Sequence, residues 1–178
     1  MRGVSEYELR ALVPDMTSFI TFISSNPPFT PFGQVDAEVL AMCRWFKNDY
    51  MRWVDPIKCP TCDGPTFSAG TVPPDVTERW EGAGRVESHV CKDKNCATQR
   101  RFPRYGKVSA LLRTREGRCG EWAHLFYAFL RAKGIESRYV WNRYVLFSYI
   151  NELADKKDPA KIMFGANTGL QLFDIGFM

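Results

Sequence analysis

The chain is poor in histidine and has no long apolar run. Only two of its 178 residues are histidine, His89 and His124, so chemistry that needs an imidazole has just two candidates. No stretch of about 18 apolar residues occurs, so no membrane-spanning helix and no membrane partner are expected. The start, Met1-Arg2-Gly3-Val4-Ser5-Glu6, is polar and lacks the apolar core of a secretory signal. Internal repeats and low-complexity blocks are absent, which argues against solenoids and arrays. Charge is not strongly one-sided: a net +4 permits an acidic partner without demanding nucleic acid. The expected location is the cytoplasm. There, six cysteines suggest metal binding or catalysis more than disulfides.

Hydrophobic residues at 45% and aromatics at 14% are enough to build a core. The length fits one domain with room for a small appended module. Residues 5–25 read as one or two short amphipathic helices broken by Pro14, and the proline-rich 26–31 segment reads as a connector. A long helix is predicted from Asp36, its expected N-cap, to Trp53. Val39, Met42, Cys43, Phe46, Tyr50 and Trp53 recur there on one face. Arg85 to Cys91 and Gln99 to Tyr105 read as strands, Lys107 to Arg113 as a brief helix, and Ile135 to Trp141 as a strand. Beyond Asn142 the signals weaken, and Val145 to Leu153 fits helix or strand equally.

Cys59-Pro60-Thr61-Cys62 and the pair Cys91 and Cys96 form two close cysteine pairs. Two such pairs can surround a tetrahedral ion with four thiolates, the geometry of a structural zinc site. One alternative is four reduced, metal-free cysteines. Another puts His89 in place of Cys91. Cys43, on the apolar face of the long helix, reads as a buried core thiol.

Arg118-Cys119-Gly120-Glu121-Trp122 is the most informative stretch. It places a cysteine where a loop becomes a helix that runs to Lys133 and is closed by Gly134. A thiol on a first helical turn faces unpaired backbone N–H groups and the positive end of the dipole, which favours a nucleophilic thiolate. Neighbouring arginines are expected to act in the same direction, and flanking glycines to keep the sulfur accessible. A nucleophile also needs a base. His124 lies five residues on, a turn of about 500° and a rise of about 7.5 Å, so it points away from Cys119. His89 sits beside the cysteine cluster, and nothing in the sequence carries it to Cys119.

Several blocks in order resemble the cytosolic peptide:N-glycanase family, a branch of the transglutaminase-like superfamily with a papain-like core. They are Arg44-Trp45-Phe46-Lys47 with Trp53-Val54, the Cys59/Cys62 knuckle with Asp63-Gly64, and Gly84-Arg85-Val86-Glu87 leading to Cys91. Arg101-Phe102-Pro103-Arg104-Tyr105, Leu111-Leu112 with Thr114-Arg115, Gly117 through Trp122, and Arg138-Tyr139-Val140-Trp141 complete the set. The resemblance implies an α+β fold, a truncated papain-like transglutaminase core with an inserted four-cysteine zinc module. Residues 1–56 form the helical lead-in and 57–105 the zinc module. Residues 106–141 hold the nucleophile helix and following strand, and 142–178 form a divergent tail. The implied activity is an amidase that removes N-linked glycans from asparagine of misfolded glycoproteins exported from the endoplasmic reticulum. Cys119 is then the nucleophile, Trp80 a candidate oxyanion donor, and Cys59, Cys62, Cys91 and Cys96 the ligands of one structural zinc ion. Ubiquitin-receptor or proteasome-shuttle proteins are implied as further partners.

The family continues its Tyr-Val-Trp block into Asp-His-Val-Trp, which supplies a catalytic histidine, with an aspartate later. Here Trp141 is followed by Asn142-Arg143-Tyr144, no histidine follows, and Asp155, Asp158 and Asp174 match no motif. The ending therefore reads as foreign to the family, as from a truncated gene model, a retained intron or a splice form. The strands that would complete the sheet are expected to be missing. Weak or no amidase activity and a less stable core are the expected consequences. A competing reading is a non-catalytic transglutaminase-like module related to DNA-damage recognition proteins, favoured by the lost histidine and opposed by the intact cysteine motif. A zinc ribbon that binds nucleic acid rests only on Arg100, Arg101 and Arg104.

Overall fold

The computed structural model describes residues 3–25, 34–141, 146–150 and 163–165. Helix α1 (Glu6–Leu12) starts where the Ser5 hydroxyl accepts from the Glu8 N–H while the Glu8 carboxylate accepts from the Ser5 N–H, a reciprocal cap. After Pro14, Asp15 accepts from the Thr17 N–H at the start of α2 (Thr17–Ser25). Helix α3 (Gln34–Trp45) passes into a π-helical turn, Phe46–Tyr50, and then into a short strand β1 (Arg52–Trp53). Two expectations are corrected here. Asp36 lies inside α3 rather than capping it, and the helix does not reach Trp53. The physical reason is a distant partner: Arg52 and Trp53 pair in parallel with Glu116 and Gly117 of β5 (Glu116–Gly117), and that pairing overrides the local helical period.

The cysteine-bearing region is built on one antiparallel sheet. Strand β2 (Thr66–Val72) leads to a short helix α4 (Val76–Trp80), then to β3 (Ala83–Cys91) and β4 (Gln99–Tyr105), in the spatial order β2-β3-β4. The β3 and β4 readings agree with the sequence to within two residues. Strand β2 and helix α4 were not anticipated. Most of β2 is exposed on both faces, so it carries no clean alternation. The α4 start did carry a signal: Asp75 and Glu78 cap each other through reciprocal 2.8 Å hydrogen bonds just after Pro73-Pro74.

The main core forms where α3 and the π-helical turn meet α6 (Cys119–Ala132), with α5 (Val108–Thr114) beside them. Trp122, Leu125, Phe126, Phe129 and Leu130 recur at the spacing of one helical face, and all are buried. They close on Val39, Met42, Cys43, Phe46 and Tyr50. The Phe46 ring lies 5.4 Å from Trp122 and 5.2 Å from Phe126, centroid to centroid. Cys43 is fully enclosed there, and burial pushes its thiol far above the ordinary range, as a core role requires. Gly134 takes φ +79° just after α6, a left-handed stop that glycine adopts without strain. The Arg10 guanidinium donates to the Ala132 carbonyl at the same end, docking α1.

Strands β6 (Ser137–Trp141), β7 (Leu146–Ile150) and β8 (Met163–Gly165) form a third sheet, antiparallel throughout, with β6 and β7 against α6. Of the two forms left open for Val145 to Leu153, the strand is the one found: β7 pairs with β6 over five residues. Asp155, Asp158 and Asp174 lie outside the described residues.

Candidate functional site

Cys119 is the first residue of α6 and is partly exposed. The chain enters extended at Arg118, whose N–H donates to the Glu121 carboxylate at 3.0 Å. A Cβ on Gly117 would stand 2.4 Å from the Glu121 Cβ, so only glycine lets the two segments approach this closely. Gly117 thus serves packing against Glu121, a role beyond the accessibility expected from the sequence.

The arginines beside the thiol are not free charges. The Arg118 guanidinium donates to Glu87 at 2.8 Å and to the Val54 carbonyl at 3.3 Å. Arg104 grips Glu121 with two hydrogen bonds, 2.7 and 2.9 Å, and reaches Glu87 at 3.0 Å. Burial works against ionised Glu87, but the Arg104 hydrogen bond and the charges of Arg118 and Arg104 prevail and hold its carboxyl below the usual range. The Arg118 charge is thus shared with Glu87.

His124 is half-buried, and burial lowers its pKa against the opposing pull of Glu121. Its ring faces Tyr139 of β6 at 5.8 Å. Burial raises the Tyr139 pKa, and the Glu121 carboxylate raises it further against the opposing charge of Arg104. Tyr139 had no role in the sequence reading.

Two tryptophans flank the region differently. Trp80, at the end of α4, is 59% exposed, with the Lys107 ammonium 5.2 Å over its ring. Trp53 pairs with Gly117 and packs 5.9 Å from the Trp122 ring, so it stands beside the start of α6. It also lines an open cleft of about 390 Å³ with Arg52, Asp55, Lys58, Arg100 and Glu116. The walls of that cleft come from β1 and the segment after it, the 58–63 knuckle, Arg100 of β4 and Glu116 of β5. Glu116 bridges its two sides, accepting from Arg52 at 2.7 Å and from Arg100 at 3.2 Å.

The four cysteines singled out by spacing converge. The Sγ atoms of Cys59, Cys62, Cys91 and Cys96 all lie within 4.8 Å of one another. Cys59 and Cys96 approach to 3.6 Å and Cys62 and Cys91 to 3.5 Å. Tetrahedral zinc with bonds of about 2.3 Å sets its sulfurs roughly 3.8 Å apart, so the cage fits that ion in size and donor type. Backbone N–H groups, that of Cys62 foremost and Thr61 next, bring the Cys59 thiol down to about 6, while burial pushes Cys91 up to about 12. His89 is not part of this cage. Its Nε2 is buried without a hydrogen-bond partner, 3.5 Å from the Glu87 carboxylate.

Comparison with known proteins places this arrangement. The model of the transglutaminase-like superfamily matches residues 66–155, half of the chain. The chain belongs to the transglutaminase-like superfamily. Within it, the chain is 45% identical over 115 residues to the peptide-N(4)-(N-acetyl-beta-glucosaminyl)asparagine amidase of Mus musculus, a match covering 64% of this chain and 17% of that protein. The amidase of the same name from Yarrowia lipolytica is 42% identical over 113 residues, 62% of this chain and 31% of that protein. The Homo sapiens amidase is 43% identical over 109 residues, 60% and 16% respectively. The chain thus spans less than a third of the length of these relatives.

Proposed function

We propose that the chain carries the nucleophile-bearing part of an amidase that cleaves the bond between asparagine and the first N-acetylglucosamine of N-glycoproteins. The observation that carries this reading is Cys119, partly exposed on the first turn of α6 in a transglutaminase-like chain whose similar proteins are named as such amidases. In this reading the Cys119 thiolate attacks the side-chain amide carbon and forms a tetrahedral oxyanion. Collapse breaks the carbon–nitrogen bond, and the nitrogen leaves as a glycosylamine after taking a proton. Water then hydrolyses the thioester, giving aspartate and returning the thiol. Trp80 and Trp53 are the two candidate oxyanion donors, and Trp53 has the support of its pairing with Gly117.

The reading extends to misfolded glycoproteins as substrates, to a cytoplasmic setting, where six unbonded cysteines are at home, and to ubiquitin-receptor partners. Zinc held by Cys59, Cys62, Cys91 and Cys96 braces the β2-β3-β4 sheet and takes no part in the bond cleavage. Neither histidine is offered as the base, since His124 faces Tyr139 and His89 faces Glu87. The 178-residue chain is therefore expected to release glycans weakly or not at all while retaining a reactive thiol. The test is labelling by a chitobiose-based electrophile, mapped by peptide mass spectrometry. Modification at Cys119, lost in Cys119→Ala with the melting temperature unchanged, is the expected result. Equal labelling of the two proteins would remove the nucleophile assignment.

A further inference from the structure

Four charged side chains at the start of α6 form a closed arrangement that the proposed chemistry does not itself use. Glu87 comes from β3, Arg104 from β4, Arg118 from the residue before α6, and Glu121 from its first turn. Glu121 Oε1 accepts from Arg104 Nε, and its Oε2 accepts from Arg104 Nη2 and the Arg118 backbone N–H. Glu87 Oε1 accepts from Arg104 Nη1 and Oε2 from Arg118 Nη1. Around this ring, Arg85 stands 3.9 Å from Glu87, His89 3.5 Å from Glu87, and Asp55 3.9 Å from Arg118. The four side chains are between 7% and 23% exposed, so solvent screens them little.

Such a network is a poor source of stability, because the cost of taking ions out of water offsets most of their attraction. It is a good source of geometry, because a bidentate guanidinium–carboxylate pair fixes both partners in direction and distance. Glu121 also presents an electrostatic difficulty. It is a carboxylate two residues from the proposed nucleophile, and an unpaired negative charge there would oppose the thiolate. Arg104 neutralises it in place. The room for the Glu121 stem comes from the missing side chain at Gly117.

We infer that Arg104 and Glu87 are positioning residues for Cys119. They hold the first turn of α6 on the β3–β4 hairpin through Glu121 and Arg118, and keep the Glu121 carboxylate neutralised by the Arg104 guanidinium. This inference rests on the reading of Cys119 as a nucleophile.

The test measures the rate of Cys119 alkylation by iodoacetamide in the zinc-loaded 178-residue chain, read at the peptide level, with circular dichroism to confirm folding. Arg104→Met is expected to slow alkylation about tenfold, the size of effect an unpaired neighbouring carboxylate produces. Arg104→Lys, which keeps the charge but not the fork, should fall between. Adding Glu121→Gln to Arg104→Met should recover much of the rate, an outcome a purely structural role would not give. If Arg104→Met fails to fold, Arg104→Gln, which keeps a donor to Glu121 but no charge, replaces it and should also slow the reaction. An unchanged rate in the folded variants, or a double variant no faster than the single, overturns the inference and leaves the nucleophile reading standing. A parent Cys119 no more reactive than a free peptide thiol sinks both.

Discussion

Gly117 shows how one absent side chain shapes the region of the thiol. The approach of 2.4 Å between a hypothetical Cβ and the Glu121 Cβ means that Gly117→Ala must move backbone, because neither atom is a flexible tip. The substitution should destabilise the chain by about 1–3 kcal/mol, the usual cost of overpacking, measured as a shift in urea midpoint at constant slope. Cys119 gives the contrasting case. It is partly exposed and lies outside the buried cluster, so Cys119→Ala should leave the same midpoint in place. Phe46 lies at the other extreme. It is wholly buried among Trp45, Tyr50, Trp122, Phe126 and Phe129, and Phe46→Ala should cost about 3–5 kcal/mol.

Among elements, the sheet and α6 are joined by ion pairs while α3 and α6 are joined by apolar contact, and the two joints respond differently to pH. Glu78, on α4, takes hydrogen bonds from Arg101 of β4, and these outweigh burial and hold its carboxyl below the usual range. Glu87 is held low as well. A carboxylate whose folded pKa is depressed stabilises fully above its unfolded value of about 4.3 and loses that contribution as pH falls through the folded value. The melting temperature should therefore be flat from pH 7 to about 5 and drop below about 4. The gap in melting temperature between the parent and Glu78→Gln should narrow over that acid range, because protonation makes the parent resemble the variant. A gap that stays constant to pH 3 would mean that Glu78 contributes nothing through its charge.

For the molecule as a whole, the four-cysteine cage and the core are separate supports. The cysteine cage ties the 59–62 knuckle to the end of β3 and the loop before β4, where β2 is mostly exposed and brings little apolar burial. A zinc ion in a four-thiolate site contributes roughly 10–16 kcal/mol in small peptides. Chelation should therefore unfold the β2-β3-β4 sheet first and leave the helical core, with Phe46, Phe126 and Phe129, to melt at a higher temperature. Peptide-level alkylation would show it: Cys59, Cys62, Cys91 and Cys96 become reactive on chelation while Cys43 stays protected. Early exposure of Cys43 would mean that the metal holds the whole chain together.

The sequence by itself determined what depends on near neighbours. The face formed by Trp122, Leu125, Phe126, Phe129 and Leu130 repeats every few residues, Gly134 ends its helix, and the spacing of Cys59, Cys62, Cys91 and Cys96 predicts their meeting. Each of these is a property of one helix or one pair of turns, where residue type and spacing fix the geometry. Tertiary structure decided the rest. The long helix predicted to reach Trp53 stops early because Arg52 and Trp53 find Glu116 and Gly117, some sixty residues away. Arg104, Glu87, Arg118 and Glu121 stand in the matched blocks of the sequence, yet their ring depends on two strands and a helix start arriving together. Charge pairing across such distances leaves no periodic trace along a chain, because electrostatic attraction acts on position in space and not on order in sequence.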